Sequence, residues 1–83
     1  MVIEIYSKDN CPYCMKAKTA IKNAGHTYTE YKIGVNATKA DVQSRINALG
    51  LHIVVSTVPQ IFIDDEYVGG YDDLKRLYPD WTA

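Results

Sequence analysis

The sequence predicts an α/β fold in which three helices cover a small four-stranded mixed sheet, in the order β-α-β-α-β-β-α. Runs of β-branched and aromatic residues alternate with stretches whose apolar residues recur at helical spacing. The first two runs enclose one helical stretch, and such a β-α-β unit joins parallel strands in nearly all cases. The last two runs are separated only by Asp64-Asp65, which indicates a tight antiparallel hairpin.

The composition is that of one small domain spanning residues 1–83. Hydrophobic residues make up 47% of the chain, which is sufficient for a modest core. The net charge of −1 provides no strong attraction to nucleic acid or to a membrane surface. We find no secretory leader and no apolar run of membrane-spanning length. We therefore expect a cytoplasmic monomer that binds neither nucleic acid nor membrane.

The first strand and the first helix are predicted at Met1–Tyr6 and Pro12–Ala24. The strand is short, β-branched and aromatic, which is typical of a strand buried on at least one face. Gly25 follows the helix at the position where helices commonly end. The helix has one mainly apolar face, formed by Tyr13, Cys14, Ala17, Ala20, Ile21 and Ala24.

The second strand is predicted at residues 27–33, where the sequence alternates and is rich in Thr and Tyr. Thr38 and Asp41 then have the spacing of a capping box, which begins the second helix. The helix has an apolar face of Val42, Ile46 and Leu49, and Gly50 ends it. Residues 51–56 are ambiguous, since this apolar segment is either extended or a loop.

The third strand is predicted at Gln60–Ile63, because Pro59 cannot lie within a central strand. The hairpin partner is residues 66–68, and the third helix is residues 71–78. Leu74, Leu77 and Tyr78 are the apolar contacts of this helix. Pro79 ends it, and we expect Trp81 to fold back as a cover.

Cys11 and Cys14, the only cysteines, form a Cys-Pro-Tyr-Cys motif after the first strand. Pro12 suits the first helical position, which makes Cys11 the N-cap residue. The Cys11 sulfur then faces the backbone N–H groups of Tyr13 and Cys14, and with the helix dipole they favour a thiolate. Such sites lower a cysteine pKa from about 8.5 to roughly 3.5–7.5. We therefore predict a redox pair in which Cys11 attacks and Cys14 resolves.

Two other interpretations of the pair are weaker. A structural disulfide here would close a ring of about four residues, which stabilises a fold by only about 2 kcal/mol. A zinc site would need His26 and His52 as further ligands, and their spacing matches no known zinc motif. We therefore expect no metal.

Three motifs in this order closely resemble the dithiol glutaredoxins, in particular their compact bacterial and virus-encoded members. They are Cys11-Pro12-Tyr13-Cys14, Thr57-Val58-Pro59 and Gly69-Gly70-Tyr71-Asp72-Asp73, and the match spans Met1 to about Leu77. The resemblance implies a thioredoxin-like fold with sheet order 2-1-3-4 and the third strand antiparallel to the first. It also implies a cis Val58–Pro59 bond.

The resemblance implies a glutathione-dependent thiol–disulfide oxidoreductase. Such an enzyme reduces disulfides and glutathione mixed disulfides, including protein disulfides, and donates electrons to ribonucleotide reductase. Cys11 and Cys14 are then catalytic. The residues implied to bind glutathione, the co-substrate, are Lys8, Tyr13, Thr57, Val58, Pro59, Gly70, Tyr71 and Asp72.

The resemblance also assigns individual contacts. Val58 pairs through its backbone with the cysteinyl unit of glutathione, and Lys8 faces the glycyl carboxylate. On the residues alone, a solvated loop lysine is the favoured interpretation of Lys8. Asp72 meets the γ-glutamyl ammonium, and Gly70 lets the backbone approach the ligand closely. For Asp73 we favour a capping role over a ligand role.

Two further functions stay open at this point. One is a thioredoxin-like protein disulfide reductase, which a flavoprotein reductase would serve. The other is a non-catalytic module that holds an iron–sulfur cluster or zinc through Cys11. The apolar segment of residues 51–56 is longer than the commonest glutaredoxin loop at this place, and the last helix is short. Both departures concern the choice of protein partner.

Overall fold

The computed structural model describes residues 1–82 and contains the predicted elements in the predicted order. Their ends differ from the predicted bounds by only a residue or two, which is the usual uncertainty of helix and strand ends. The elements are β1 (Ile3–Ser7), α1 (Pro12–Asn23), β2 (Thr29–Lys32), α2 (Lys39–Ala48), β3 (Gln60–Ile63), β4 (Glu66–Gly69), α3 (Tyr71–Leu77) and a 3₁₀ turn (Pro79–Trp81).

The sheet has the strand order β2-β1-β3-β4. Strand β1 is parallel to β2 and antiparallel to β3, while β3 is antiparallel to β4. This mixed sheet confirms the thioredoxin-like fold. In the register of the two central strands Tyr6 lies opposite Gln60, so the carboxyl end of β1 adjoins the start of β3.

The two faces of the sheet carry separate apolar clusters, because side chains alternate along β1 and β3. Helices α1 and α3 cover one face, and α2 covers the other. The first cluster is Ile3, Ile5, Ala17, Ala20, Ile21, Ile61, Ile63 and Leu74. The second is Tyr6, Ala37, Val42, Ile46, Val55 and Phe62.

The predicted turn and capping residues occupy the expected places. Thr38 and Asp41 form both hydrogen bonds of a capping box, at 3.1 and 2.7 Å. Asp64 and Asp65 both have positive φ, at 52° and 65°, which matches the twist of a two-residue hairpin. No helix within residues 1–82 is long and apolar enough to cross a membrane.

Three predicted apolar contacts are wrong, since Tyr13, Leu49 and Leu77 are exposed. Each lies in the first or last turn of its helix or just after it, beyond the side chains that reach the sheet. The prediction for Trp81 is confirmed, because its ring stacks on Tyr78 at 4.3 Å between centroids and packs on the first cluster. Residues 51–56 have no regular secondary structure, which resolves the earlier ambiguity in favour of a loop.

Candidate active site

The sulfur of Cys11 lies at the start of α1, where the chain turns from extended to helical backbone. Cys11 is the N-cap, with φ −112° and ψ 101°, and Pro12 is the first helical residue. The backbone N–H of Cys14 donates a hydrogen bond of 3.2 Å to Cys11 Sγ. No such bond comes from Tyr13, the second donor expected from the sequence, because an N-cap side chain here reaches the third helical residue. One backbone donor therefore faces the sulfur, instead of two.

The two cysteines differ in exposure. They are joined by a disulfide, so the structure represents the oxidised form. Cys14 is only 1% exposed, on the side of α1 that packs against the sheet, whereas Cys11 is partly exposed. Only Cys11 therefore presents its sulfur toward a substrate.

The chain just before β3 passes close to Cys11. The Val58–Pro59 bond is cis, as the resemblance implies. The carbonyl oxygen of Val58 lies 3.9 Å from Cys11 Sγ. This proximity follows from the sheet, because β1 leads into Cys11 and its antiparallel neighbour β3 begins just after Pro59. A ligand whose sulfur reaches Cys11 thus lies against the backbone of Val58.

A cleft of about 470 Å³ opens beside these residues. It contains every residue predicted to bind glutathione except Lys8, which lines a separate small hollow next to Thr57 and Val58. The lining residues of the cleft are Tyr13, Ile53, Val54, Ser56, Thr57, Val58, Pro59, Gln60, Tyr67, Gly70, Tyr71, Asp72 and Asp73.

The two aspartates at the start of α3 have different surroundings. The Asp73 carboxylate accepts the N–H of Gly70 at 3.1 Å, which confirms the capping role favoured from the sequence. The Asp72 side chain is exposed, and its nearest cation is Lys75 Nζ at 3.9 Å. Asp72 can therefore meet a ligand cation without giving up a strong internal contact.

The glycine that excludes a side chain here is Gly69 rather than Gly70. Gly69 has φ +118°, and a Cβ at this position would run into the Asp73 carboxylate. Gly70 has φ −92°, and an added Cβ would meet only the Pro59 carbonyl oxygen, at an ordinary 3.6 Å. Within the protein, the strict need for a glycine lies at Gly69, and the role of Gly70 in the approach to glutathione stays a prediction.

Two polar residues that the sequence did not single out, Gln60 and Tyr67, line the cleft and are hydrogen-bonded to each other. Tyr67 donates its hydroxyl proton to Gln60 Oε1 at 2.5 Å, and Gln60 Nε2 donates to the Thr57 carbonyl oxygen at 2.9 Å. Burial, and then the charge of Asp73, raise the pKa of Tyr67, so its hydroxyl stays a donor. Through these two hydrogen bonds, Tyr67 and Gln60 hold the backbone at Thr57, just before Val58. The signal in the sequence was a glutamine directly after Pro59. In the fold its side chain is only 5% exposed, and a buried polar group needs hydrogen-bond partners.

A second group of polar side chains joins α1 to the strands of the sheet. Ser7 Oγ donates to Glu30 Oε2 at 2.6 Å, and Lys18 Nζ contacts the same oxygen at 2.8 Å. These hydrogen bonds, that of Lys18 first, lower the pKa of Glu30 against the opposing effect of burial. Lys18 lies one helical turn after Cys14, so this group ties the buried end of the cysteine motif to β1 and β2.

Comparison with known proteins agrees with this geometry. A family model described as Glutaredoxin matches residues 3–68. Glutaredoxin 3 of Escherichia coli K12 is 40% identical over 75 residues, which cover 90% of this chain and 83% of that protein. A probable glutaredoxin of Synechocystis is 40% identical over 76 residues, covering 90% of this chain and 80% of that protein.

Solved structures give the same result. Glutaredoxin 1 of Francisella tularensis superposes with a TM-score of 0.77 at 35% identity, covering 95% of this chain and 93% of that one. Its similarity therefore extends over nearly the whole chain. The chain belongs to the glutaredoxin family of thiol–disulfide oxidoreductases.

Proposed function

We propose that this protein reduces disulfides with glutathione as its co-substrate, with Cys11 as the nucleophile. The observation that carries the proposal is the placement of the Cys11 sulfur. It receives a backbone N–H at the start of α1, and it lies 3.9 Å from the carbonyl oxygen of Val58, which lines the same cleft as the exposed carboxylate of Asp72. A thiolate is favoured at such a helix start, and the thiolate is the attacking form of cysteine.

The first step exchanges one disulfide for another. The Cys11 thiolate attacks the glutathione sulfur of a mixed disulfide and forms a Cys11–glutathione disulfide. The second sulfur leaves as a thiolate and takes a proton from solvent. No electrons are gained or lost overall, because one S–S bond breaks as another forms.

The intermediate then has two routes of resolution. A second glutathione thiolate attacks the bound glutathione, which releases glutathione disulfide and restores the Cys11 thiolate. Alternatively, Cys14 loses its proton and attacks the Cys11 sulfur, which breaks the bond to glutathione, releases glutathione as a thiolate and gives the disulfide present in this structure. Two glutathione molecules then return that disulfide to the dithiol and leave as glutathione disulfide.

Three features of the cleft, and Lys8 in the hollow beside it, support glutathione as the ligand. The Val58 backbone lies beside Cys11, where it can pair with the cysteinyl unit. Asp72 lines the cleft, where it can meet the γ-glutamyl ammonium. The N–H of Gly70 is already bonded to Asp73, so a γ-glutamyl carboxylate would use the N–H groups of Tyr71 and Asp72. Lys8 lies beyond Thr57 and Val58, on the side assigned to the glycyl carboxylate.

We further propose protein disulfides as physiological substrates, among them the disulfide of ribonucleotide reductase. A reducing cytoplasm would keep glutathione in the reduced form that this cycle requires, and we place the protein there as a monomer. These assignments rest on membership of the glutaredoxin family.

Turnover of a glutathione mixed disulfide tests the proposal. The purified protein, glutathione, glutathione reductase and NADPH are combined, and NADPH oxidation is followed by absorbance. We expect turnover that depends on both the protein and glutathione. Reduction that proceeds only when a flavoprotein thioredoxin reductase replaces the glutathione system would favour the thioredoxin-like alternative. A coloured protein, or one that carries stoichiometric iron or zinc without turnover, would favour the metal-binding module.

A further inference from the structure

We propose that the exposed side chains of Ile53 and Val54 bind an apolar residue directly before the reacting cysteine of a polypeptide substrate. The protein then favours polypeptide disulfides in which that residue is apolar. The inference rests on the proposed function, because it requires Cys11 to attack the cysteine of the substrate. Its new elements are the two loop residues and the kind of polypeptide that they select.

The loop between α2 and β3 exposes several apolar side chains in succession. Ile53 and Val54 are exposed, and so are Leu49 and Leu51 just before them in the sequence. No Asp, Glu, Lys or Arg occurs in residues 46–63, so no charged side chain of this segment covers the apolar surface. Exposed apolar side chains that occur together mark a surface that binds an apolar partner.

Hydrogen bonds hold this surface in place before any ligand binds. The Gln43 side chain donates to the Ile53 carbonyl oxygen at 2.8 Å and accepts the Val55 N–H at 2.9 Å. Val55 itself is buried in the second cluster. The backbone on both sides of Val54 is therefore fixed, and the Val54 side chain is held outward. A ligand has little of the loop to order, which lowers the entropic cost of binding.

The lining residues indicate on which side of the substrate cysteine the loop lies. Ile53 and Val54 line the cleft together with Asp72. Neither of them lines the separate hollow of Lys8. The proposed binding of glutathione places the γ-glutamyl unit, which precedes the cysteinyl unit, in the cleft, and the glycyl unit toward the hollow. A polypeptide that pairs with Val58 in the same direction therefore has the residue before its cysteine in the cleft.

A polypeptide cannot use Asp72 as glutathione does. The residue before its cysteine has an amide nitrogen in place of the γ-glutamyl ammonium, so it offers Asp72 no cation. The charged residues that line the cleft are Asp72 and Asp73, and their carboxylates disfavour an acidic side chain there. Apolar contact with Ile53 and Val54 then supplies affinity that the missing ammonium does not.

The experiment compares two peptide disulfides that differ in one side chain. Each is a disulfide-linked dimer of a short peptide with blocked ends, in which Leu or the similarly shaped Asn directly precedes the cysteine. Reduction is coupled to glutathione, glutathione reductase and NADPH, and the rate without the protein is subtracted. The ratio of the two kcat/KM values is measured for the wild type, for the double variant Ile53→Thr with Val54→Thr, and for Val54→Ile. The control is Val35→Thr, because Val35 is another exposed valine and lines neither space.

We expect the wild type to prefer the Leu peptide about three- to tenfold, the effect of burying one or two CH₂ groups incompletely. The preference should fall toward one in the double variant and persist in Val54→Ile and Val35→Thr. A ratio of one in the wild type, or an equal ratio in the wild type and the double variant, would overturn the inference. Melting curves of the variants check that each is folded.

A mixed disulfide of glutathione and cysteine, assayed in parallel, separates the inference from the proposed function. If the double variant slows both peptides and this mixed disulfide by the same factor, the loop shapes the whole cleft and selects no residue, which overturns the inference. If the wild type turns over the mixed disulfide but neither peptide, the proposed function stands and the inference fails. If it turns over none of the three substrates, the proposed function fails and the inference fails with it.

Discussion

The two walls of the cleft are built in different ways. One wall consists of the ends of regular elements, namely the start of α1, the segment before β3 and the start of α3. The other wall is the loop of residues 51–56, which presents Ile53 and Val54 at 41% and 83% exposure. Groups that need fixed distances to the Cys11 sulfur lie on the first wall. The second wall is free to vary without disturbing the sulfur.

The loop wall is attached to the rest of the fold at few points. The Gln43 side chain of α2 donates to the Ile53 carbonyl oxygen at 2.8 Å and accepts the Val55 N–H at 2.9 Å. Val55 itself, at 4% exposure, enters the second cluster. The Gln43 side chain, the buried Val55 and a backbone hydrogen bond of 3.3 Å from the Leu51 N–H to the Ile46 carbonyl oxygen thus hold the loop wall. Strand pairing and helix caps hold the other wall.

We call the wall built from the ends of regular elements the fixed wall. The largest effects are expected there, at the cysteines. Cys11→Ser should lose activity toward both glutathione mixed disulfides and protein disulfides, because a serine hydroxyl is not ionised at neutral pH. Cys14→Ser should keep most activity toward glutathione mixed disulfides and lose most activity toward protein disulfides, since glutathione can replace Cys14 only in the first case. Both variants are assayed with both substrates. Equal loss of the two activities in Cys14→Ser would contradict resolution by glutathione.

Two adjacent valines test how the loop wall is attached. Val55→Ala should lower the free energy of unfolding by about 2 kcal/mol, because it removes two buried carbon atoms and leaves a cavity. Val54→Ala should change it by less than about 0.5 kcal/mol, because that side chain is exposed. Denaturant unfolding of both variants gives the comparison. Equal destabilisation would mean that the loop wall is packed as firmly as the fixed wall.

The same difference explains what the sequence could predict. The cysteine motif, the capping box of α2 and the Asp64-Asp65 turn depend on residues close in the chain, so their geometry was predictable. The attachment of the loop through Gln43 depends on where α2 packs, and no local pattern contains that information. The exposure of Leu49 likewise depends on how far α2 extends past the sheet.

The hydrogen bonds that join Tyr67, Gln60 and Thr57 in the fixed wall likewise could not be predicted from a local sequence pattern. They depend on the register between β3 and β4, which includes a shift after Ile61. The order of the three motifs predicted the family and the strand order. The polar residues that hold those motifs in place became visible only in the folded chain.

The next largest effect of a substitution is expected at the two aspartates at the start of α3. Asp72→Ala should raise KM for glutathione substrates about tenfold, because it removes a charge-assisted contact. It should hardly change stability, since the contact with Lys75 is exposed and 3.9 Å long. Asp73→Ala, its matched control, should instead lower stability by about 1 kcal/mol through loss of the bond to Gly70. If Asp72→Ala lowers the melting temperature and leaves KM unchanged, the ligand role of Asp72 is wrong.

The smallest effect is expected beneath the fixed wall, at Glu30. Hydrogen bonds from Lys18 and Ser7 lower the pKa of the Glu30 carboxyl below its usual value. A lowered pKa in the folded state means that the charged pair contributes stability above the unfolded-state pKa. That contribution is lost as the pH falls through the folded-state pKa. Glu30→Gln removes the charge but keeps an oxygen that accepts a hydrogen bond.

Wild type should therefore exceed Glu30→Gln in stability at pH 7, by less than about 1 kcal/mol for a partly exposed pair. The difference should shrink toward zero as the pH falls below the lowered pKa of Glu30, because the wild-type carboxyl is then neutral as well. Glu66→Gln is the matched control, since Glu66 is exposed and has no ion pair within residues 1–82. Thermal unfolding between pH 7 and pH 3 measures all three proteins. A Glu30→Gln deficit that is constant over this range would mean that packing, rather than charge, ties α1 to the strands beneath the cysteine motif.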